Sequence, residues 1–232
     1  DRRAVFEAFA RRLPEGRRYG VLAGTGRLLD AIERFRFDES TLQLLDQAAI
    51  VDRPTMYWLA DYRFRGDIWG YGEGECYFPG SPVLVVESSF AEAVVLETLV
   101  LSILNHDSAI AAAASRMTTA AGSRPCVEMG SRRTHEEAAV AAARAAHLAG
   151  FATTSNLEAR RRYGIPTAGT SAHAFTLLHD TERDELREGS HMLDVCVDFV
   201  GRDGVRDMHE VARRYVNALP APAATARAYG RL

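Results

Sequence analysis

Three things are scarce in this 232-residue chain. Cysteine is limited to Cys76, Cys126 and Cys196. An odd number so widely spaced argues against a disulfide framework or a thiolate zinc site, and fits free thiols in a reducing compartment. Net charge is also scarce: 28 basic against 31 acidic residues leave −3, with a pI near 6.2. There is no electrostatic case for nucleic acid or for a membrane surface. Unbroken apolar sequence is short, because the stretches near 94–104 and 109–114 are interrupted by Glu97, Asn105, His106 and Asp107. None reaches the roughly 20 apolar residues of a membrane span. No signal peptide opens the chain. It begins at Asp1 and not Met, so residues are expected to be missing upstream. What remains is ordinary for a soluble globular protein, 47% hydrophobic and 25% charged, with length for one large domain or two small ones.

Along the chain, residues 3–13 are apolar at Ala4, Val5, Phe6, Ala8, Phe9 and Ala10, and periodicity does not separate helix from strand. Residues 19–24 read as a strand closed by Gly24-Thr25-Gly26, with a helix over 27–34. Paired glycines after a strand can cradle a phosphate, but the rest of a dinucleotide or P-loop pattern is lacking, and a tight turn is favoured. Residues 39–50 and 54–60 are expected as short helices, and 71–78 followed by a strand over 83–87 as an antiparallel region. Residues 91–121 are alanine-rich without internal Pro or Gly: one long, largely buried helix, or two with a break near Asn105-His106-Asp107. That polar knot reads either as ligand contact or as a buried hydrogen-bonded break, the second being favoured.

From Arg124 the pattern alternates: strand 125–129, helix 134–147, strand 150–154, helix 155–162, strand 165–168, helix 171–179. Such spacing means parallel strands with helical crossovers, whose carboxyl ends bind ligands. Three polar segments fall at those ends: Ser131-Arg132-Arg133, Thr153-Thr154-Ser155-Asn156 and Gly169-Thr170-Ser171-Ala172-His173. Thr134 is expected to cap its helix with Glu137 completing a capping box. Arg132 and Arg133, at a strand end beside a helix N-terminus, read as a seat for phosphate or carboxylate, or else as surface charges on a loop.

Several of these motifs together resemble the nicotinate phosphoribosyltransferases: Glu128-Met129-Gly130-Ser131-Arg132-Arg133, Gly150-Phe151 with Ser155-Asn156, and Gly164-Ile165-Pro166 with Gly169-Thr170-Ser171-Ala172-His173-Ala174-Phe175. Phe78-Pro79-Gly80-Ser81-Pro82 and Leu96-Glu97-Thr98 with Asn105-His106 are similar as well. The resemblance spans residues 1–184 and implies an irregular α/β barrel, partial here, packed with a smaller α/β sandwich-like domain. It implies a cytoplasmic homodimer with shared sites. The implied reaction forms nicotinate mononucleotide and pyrophosphate from nicotinate and phosphoribosyl pyrophosphate, coupled to ATP hydrolysis, within NAD biosynthesis. Under it His173 is the phosphorylated residue, Thr170 contacts nicotinate, and Ser171 and Gly169 shape the same turn. Arg132 and Arg133 lie near the phosphoribosyl and carboxylate groups, and Mg2+ arrives bound to substrate.

The chain departs from that pattern. The Thr-Asp-x-Tyr segment expected upstream is absent, and so are the later acidic and glycine-rich phosphate-loop segments. Gly189-Ser190-His191-Met192 resembles the scar of a cleaved tag, and residues 193–200 and 208–219 faintly resemble the family's C-terminal strand and helix. The expected organisation is therefore an N-terminal α/β domain over 1–89, an incomplete βα domain over 90–188, and a C-terminal strand and helix over 189–232 returning to the first. Two alternatives stand beside the enzyme reading: a non-catalytic truncated homologue acting as a dimerisation partner, and a related phosphoribosyltransferase for nicotinamide or quinolinate.

Overall fold

The computed structural model describes residues 2–169 and Leu177. The chain opens with β1 (Arg3–Phe9), in which Phe6 and Ala8 turn inward while Val5 and Phe9 stay exposed. That period-two alternation is what one half-buried sheet face requires, and it decides the ambiguous first segment in favour of strand. β1 pairs antiparallel with β5 (Pro82–Ser89), and β5 pairs antiparallel with β3 (Asp67–Gly70), giving the order β1-β5-β3. Strand β3 has no counterpart in the sequence reading, because a four-residue strand with Gly at its end carries too little pattern. A second, two-stranded antiparallel ladder joins β2 (Gly20–Val21) to β4 (Cys76–Tyr77).

Three helices separate β2 from β3: α1 (Thr25–Arg34), α2 (Glu39–Gln47) and α3 (Arg53–Ala60). Asp38 and Asp52 cap the last two by accepting hydrogen bonds from the Thr41 and Thr55 amides. The core here is built of bulky side chains. Leu22, Leu28, Ile32, Tyr62, Leu84, Val86, Leu96 and Val100 pack together, with Phe35 and Phe37 edge-on to Tyr62. Burial first, and then the charge of Glu92, push the Tyr62 hydroxyl up to about 12, and it donates to the Glu92 carbonyl at 2.8 Å.

The alanine-rich stretch forms α4 (Phe90–Val94) and α5 (Glu97–Ala121). The interruption falls at Val95-Leu96, and not at Asn105-His106-Asp107, which lie inside an unbroken helix. Partners explain why. Asp107 is fully buried, paired with His106 Nδ1 at 2.9 Å and Arg27 at 3.3 Å, and the Ser108 hydroxyl bonds the Ala23 amide and carbonyl. The polar knot therefore ties α5 to β2 and α1 without opening the helix. By length and composition alone the run Phe90–Ala121 could cross a membrane, and a third of its most apolar window is buried. Its buried Asp107 finds partners within the protein, His106 on the same helix and the half-buried Arg27 of α1, as a polar group away from water must.

Beyond Gly122 come β6 (Val127–Glu128), a single 3-10 turn at Gly130–Arg132, α6 (Glu136–Leu148), β7 (Thr153–Thr154) and α7 (Leu157–Tyr163). β6 and β7 are parallel, and Thr154 bridges Thr167 in parallel. The Thr154 amide donates to Pro166 and the Ala168 amide to Thr154. The three expected strands are neighbours and parallel, though far shorter than 125–129, 150–154 and 165–168. Helices α5 and α6 meet through small residues, Ala111, Ala112 and Ala145, with Val21 and Ala23 beneath. The fold is mixed α/β. No closed barrel occurs among the described residues.

Candidate functional site

Two loops at the carboxyl ends of β6 and β7 make the candidate site. Leaving β6, the chain turns at Gly130, Ser131 and Arg132 and enters α6. Leaving β7, it passes Ser155 to the α7 cap Asn156, whose side chain accepts from the Ala159 amide at 2.9 Å. Direct bonds fasten the loops together. The Asn156 side-chain amide donates to the Ser131 hydroxyl at 3.1 Å, and the Ser155 amide donates to the Glu128 carbonyl at 2.9 Å.

Arg132 and Arg133 stand on this platform, exposed, and neither guanidinium has a protein partner among the described residues. The chain contains no lysine, so every fixed cation is a guanidinium suited to bidentate contact with phosphate or carboxylate. Many other arginines nearby are already engaged: Arg162 holds Glu137 at 2.9 Å and Glu158 at 2.6 Å, and Arg161 holds Glu158. First the Arg161 and then the Arg162 hydrogen bond holds the Glu158 carboxyl down at about 2. The free pair at the strand ends is thus set apart from cations that serve structure.

The α6 cap differs from expectation. The helix starts at Glu136, one residue later than a Thr134 cap requires, and His135 takes the cap, its Nδ1 accepting from the Glu137 amide at 3.3 Å. Glu137 turns to Arg162 instead of completing a capping box. Gly169 is exposed, with open space where a Cβ would stand. Thr170, Ser171 and His173, with the helix over 171–179 and the C-terminal strand and helix, lie outside the described residues.

Sequence reasoning missed two groups. The first is Glu128, 9% exposed at the end of β6, which accepts from the Thr154 hydroxyl at 2.7 Å and from the Gly130 amide. Its place two residues before a Gly at a strand end was the available signal. The second is Glu73, which answers the question at Gly24-Thr25-Gly26. Its carboxylate accepts from the Gly24 amide at 2.7 Å and pairs bidentately with Arg144 at 2.8 and 2.7 Å. An internal carboxylate fills the seat an external phosphate would use, at the positive end of α1. Burial raises the Glu73 carboxyl, but the Arg144 guanidinium and the Gly24 and Gly26 amides outweigh it, so it titrates below its ordinary 4.5. Gly24 has φ of 99°, where a side chain is strained, and a Cβ there would also press on Asp107 at 3.1 Å. Among the described residues no three His, Cys, Asp or Glu side chains are grouped to hold a metal ion.

Parallel strands whose carboxyl ends carry two arginines unpaired among the described residues define an α/β protein whose candidate site is suited to an anion. Comparison with known proteins makes the class specific. Residues 1–105 match the nicotinate phosphoribosyltransferase (NAPRTase) N-terminal domain, and residues 125–199 match the nicotinate phosphoribosyltransferase (NAPRTase) family. The chain is 68% identical over 179 residues to nicotinate phosphoribosyltransferase pncB1 of Mycobacterium tuberculosis, covering 77% of this chain and 40% of that protein. It is 34% identical over 221 residues to nicotinate phosphoribosyltransferase of Bacillus subtilis, covering 93% and 45%. The crystal structure of human nicotinic acid phosphoribosyltransferase superposes with a TM-score of 0.70 at 30% identity, covering 75% of this chain and 36% of the human one. The chain belongs to the nicotinate phosphoribosyltransferase family. It spans about two fifths of the length of the curated relatives named here.

Proposed function

We propose that the chain serves phosphoribosyl transfer to nicotinate: a bond forms from the nicotinate ring nitrogen to ribose C1 as the C1–oxygen bond to pyrophosphate breaks. The observation that carries this is the Arg132–Arg133 pair, without a partner among the described residues, on a platform braced by Asn156–Ser131. Two guanidiniums offer charge-assisted hydrogen bonds to the phosphates of phosphoribosyl pyrophosphate or to the nicotinate carboxylate. Both stand beside the α6 N-terminus, which favours negative charge. The family match over 125–199 includes this pair and Gly169, Thr170, Ser171 and His173, which supports the enzyme over a non-catalytic dimerisation partner.

The test is calorimetry with phosphoribosyl pyrophosphate. Replacing both Arg132 and Arg133 by Ala should weaken binding at least tenfold, a loss of about 1.4 kcal/mol or more. Unchanged affinity overturns the assignment. A substrate panel of nicotinate, nicotinamide and quinolinate separates this reading from its relatives.

The same proposal extends to ATP. Thr170, Ser171 and Gly169 would form the turn before His173, whose imidazole is a workable nucleophile toward a γ-phosphoryl group. Radiolabelled ATP should leave an acid-labile, base-stable label on the wild type and none on His173→Asn; a label retained by the variant overturns it. Mg2+ would enter with the pyrophosphate as part of the substrate. The short parallel strands would be the first of an irregular barrel against an N-terminal domain over 1–89, in a cytoplasmic homodimer with shared sites. Size measurement tests the last point.

A further inference from the structure

Among the described residues, Glu128 is a buried carboxylate with no cation beside it. Its two oxygens are spent on the two loops of the site. Oε2 accepts from the Thr154 hydroxyl at 2.7 Å, and Thr154 is itself fully buried. Oε1 accepts from the Gly130 amide, the first residue of the turn that carries Arg132. Thr154 passes the tether on, its hydroxyl accepting from the Asn156 amide at 3.0 Å while the Asn156 side chain bonds Ser131. The loop is closed: Glu128, Gly130, Ser131, Asn156, Thr154 and back. A Cβ on Gly130 would meet Glu128 Oε1 at 2.8 Å, so a side chain there would have to push the carboxylate from its place. An apolar side chain at 128 would fill the space more cheaply than a desolvated charge. The carboxylate therefore does something that packing does not require.

We infer that Glu128 is a positioning residue for the arginine pair: it fixes the Gly130–Arg132 turn against the β7 loop, so that Arg132 and Arg133 are held ready for a phosphate-bearing substrate. Resting on the anion-site reading above, this proposal goes beyond it by assigning a carboxylate to a site for anions. Glu128 acts through backbone and hydroxyl. Its oxygens are occupied by those two donors, and the guanidiniums, held by the fixed turn, lose less freedom when they bind.

The experiment is a double-mutant cycle read by calorimetry with phosphoribosyl pyrophosphate, run well below each variant's unfolding temperature on the chain as it stands. Glu128→Ala should weaken binding about tenfold. Glu128→Gln, which keeps the shape and one acceptor, should recover much of that loss. Thr154→Val, which removes the second tether at constant shape, should lose several-fold. In the Arg132→Ala, Arg133→Ala background, Glu128→Ala should have no further effect, because residues acting as one unit are not additive. Amide hydrogen exchange at Gly130 should accelerate in Glu128→Ala without ligand present. Full affinity in Glu128→Ala, additive losses in the cycle, or an unchanged Gly130 exchange rate would each overturn the positioning role while leaving the arginine site intact. A wild type that binds no phosphoribosyl pyrophosphate would remove the anion-site reading and this inference together.

Discussion

The antiparallel region of β1, β5 and β3 and the parallel region of β6 and β7 are stabilised in opposite ways. The first has long ladders, seven register pairs between β1 and β5 alone, over a core of Leu, Val, Ile and aromatic rings. The second has two-residue strands and a core lined mostly by alanine. Small side chains let α5 and α6 approach closely. The Thr118 hydroxyl reaches across to the Ala149 carbonyl at 3.0 Å, and a Cβ at Gly150 would meet Thr118 at 3.4 Å. Close packing of alanines removes little apolar area per residue, so polar fasteners make up the difference. Glu73–Arg144 joins the N-terminal region to α6, Arg116 caps the Tyr19 carbonyl at 2.6 Å while lying over its ring, and Glu128–Thr154 joins the two site loops. The lesson is that the candidate site sits on the region held by specific bonds, and those bonds dictate where its loops go.

The largest loss is expected at the Glu73–Arg144 fastener. Glu73→Ala leaves Arg144, whose side chain is 17% exposed, without its partner, and should cost about 3–5 kcal/mol in urea unfolding. The pH dependence has a definite sign. Because the folded Glu73 carboxyl lies below its ordinary 4.5, its contribution is present above that value and is lost as pH falls below it through the lowered value. The acid limb of stability should flatten in Glu73→Gln. If the bulky core dominates the first region, Leu84→Ala, at a site 1% exposed, should cost about 2–5 kcal/mol by transfer and cavity, measured the same way. The alanine seam should respond to the opposite change: Ala145→Leu, fully buried between α6 and α5, should cost about 1–3 kcal/mol by overpacking. An Ala145→Leu variant as stable as wild type would mean that the seam is loosely packed and that the two regions are not stabilised in opposite ways.

Local chemistry made much of this legible. Asp38 and Asp52 precede helices because their carboxylates cap amides three residues on, and alternation with glycine punctuation marked the parallel units in the right order. Strand lengths were not legible, since apolar runs such as 125–129 continue past the two residues that pair, and pairing depends on a neighbour far away in sequence. Whether the helix runs unbroken through Asn105-His106-Asp107 was not legible for a related reason. Polar residues inside an apolar helix suggest a break only while their partners, Arg27 and Ala23, are unknown.

The family, the mixed α/β class and the order of the parallel units were legible in the sequence, because each is written in residues close together along the chain. Tertiary structure alone decided that Glu73 fills the helix end at Gly24-Thr25-Gly26, that His135 and not Thr134 caps α6, and that Glu128 binds the two site loops through Thr154. The Glu73 and Glu128 bonds join groups tens of residues apart, and a single carboxylate carries no mark in sequence of which amide or hydroxyl the fold will bring to it. The cap, by contrast, turned on a one-residue shift in where α6 begins, which is set by how the turn after β6 docks against the β7 loop.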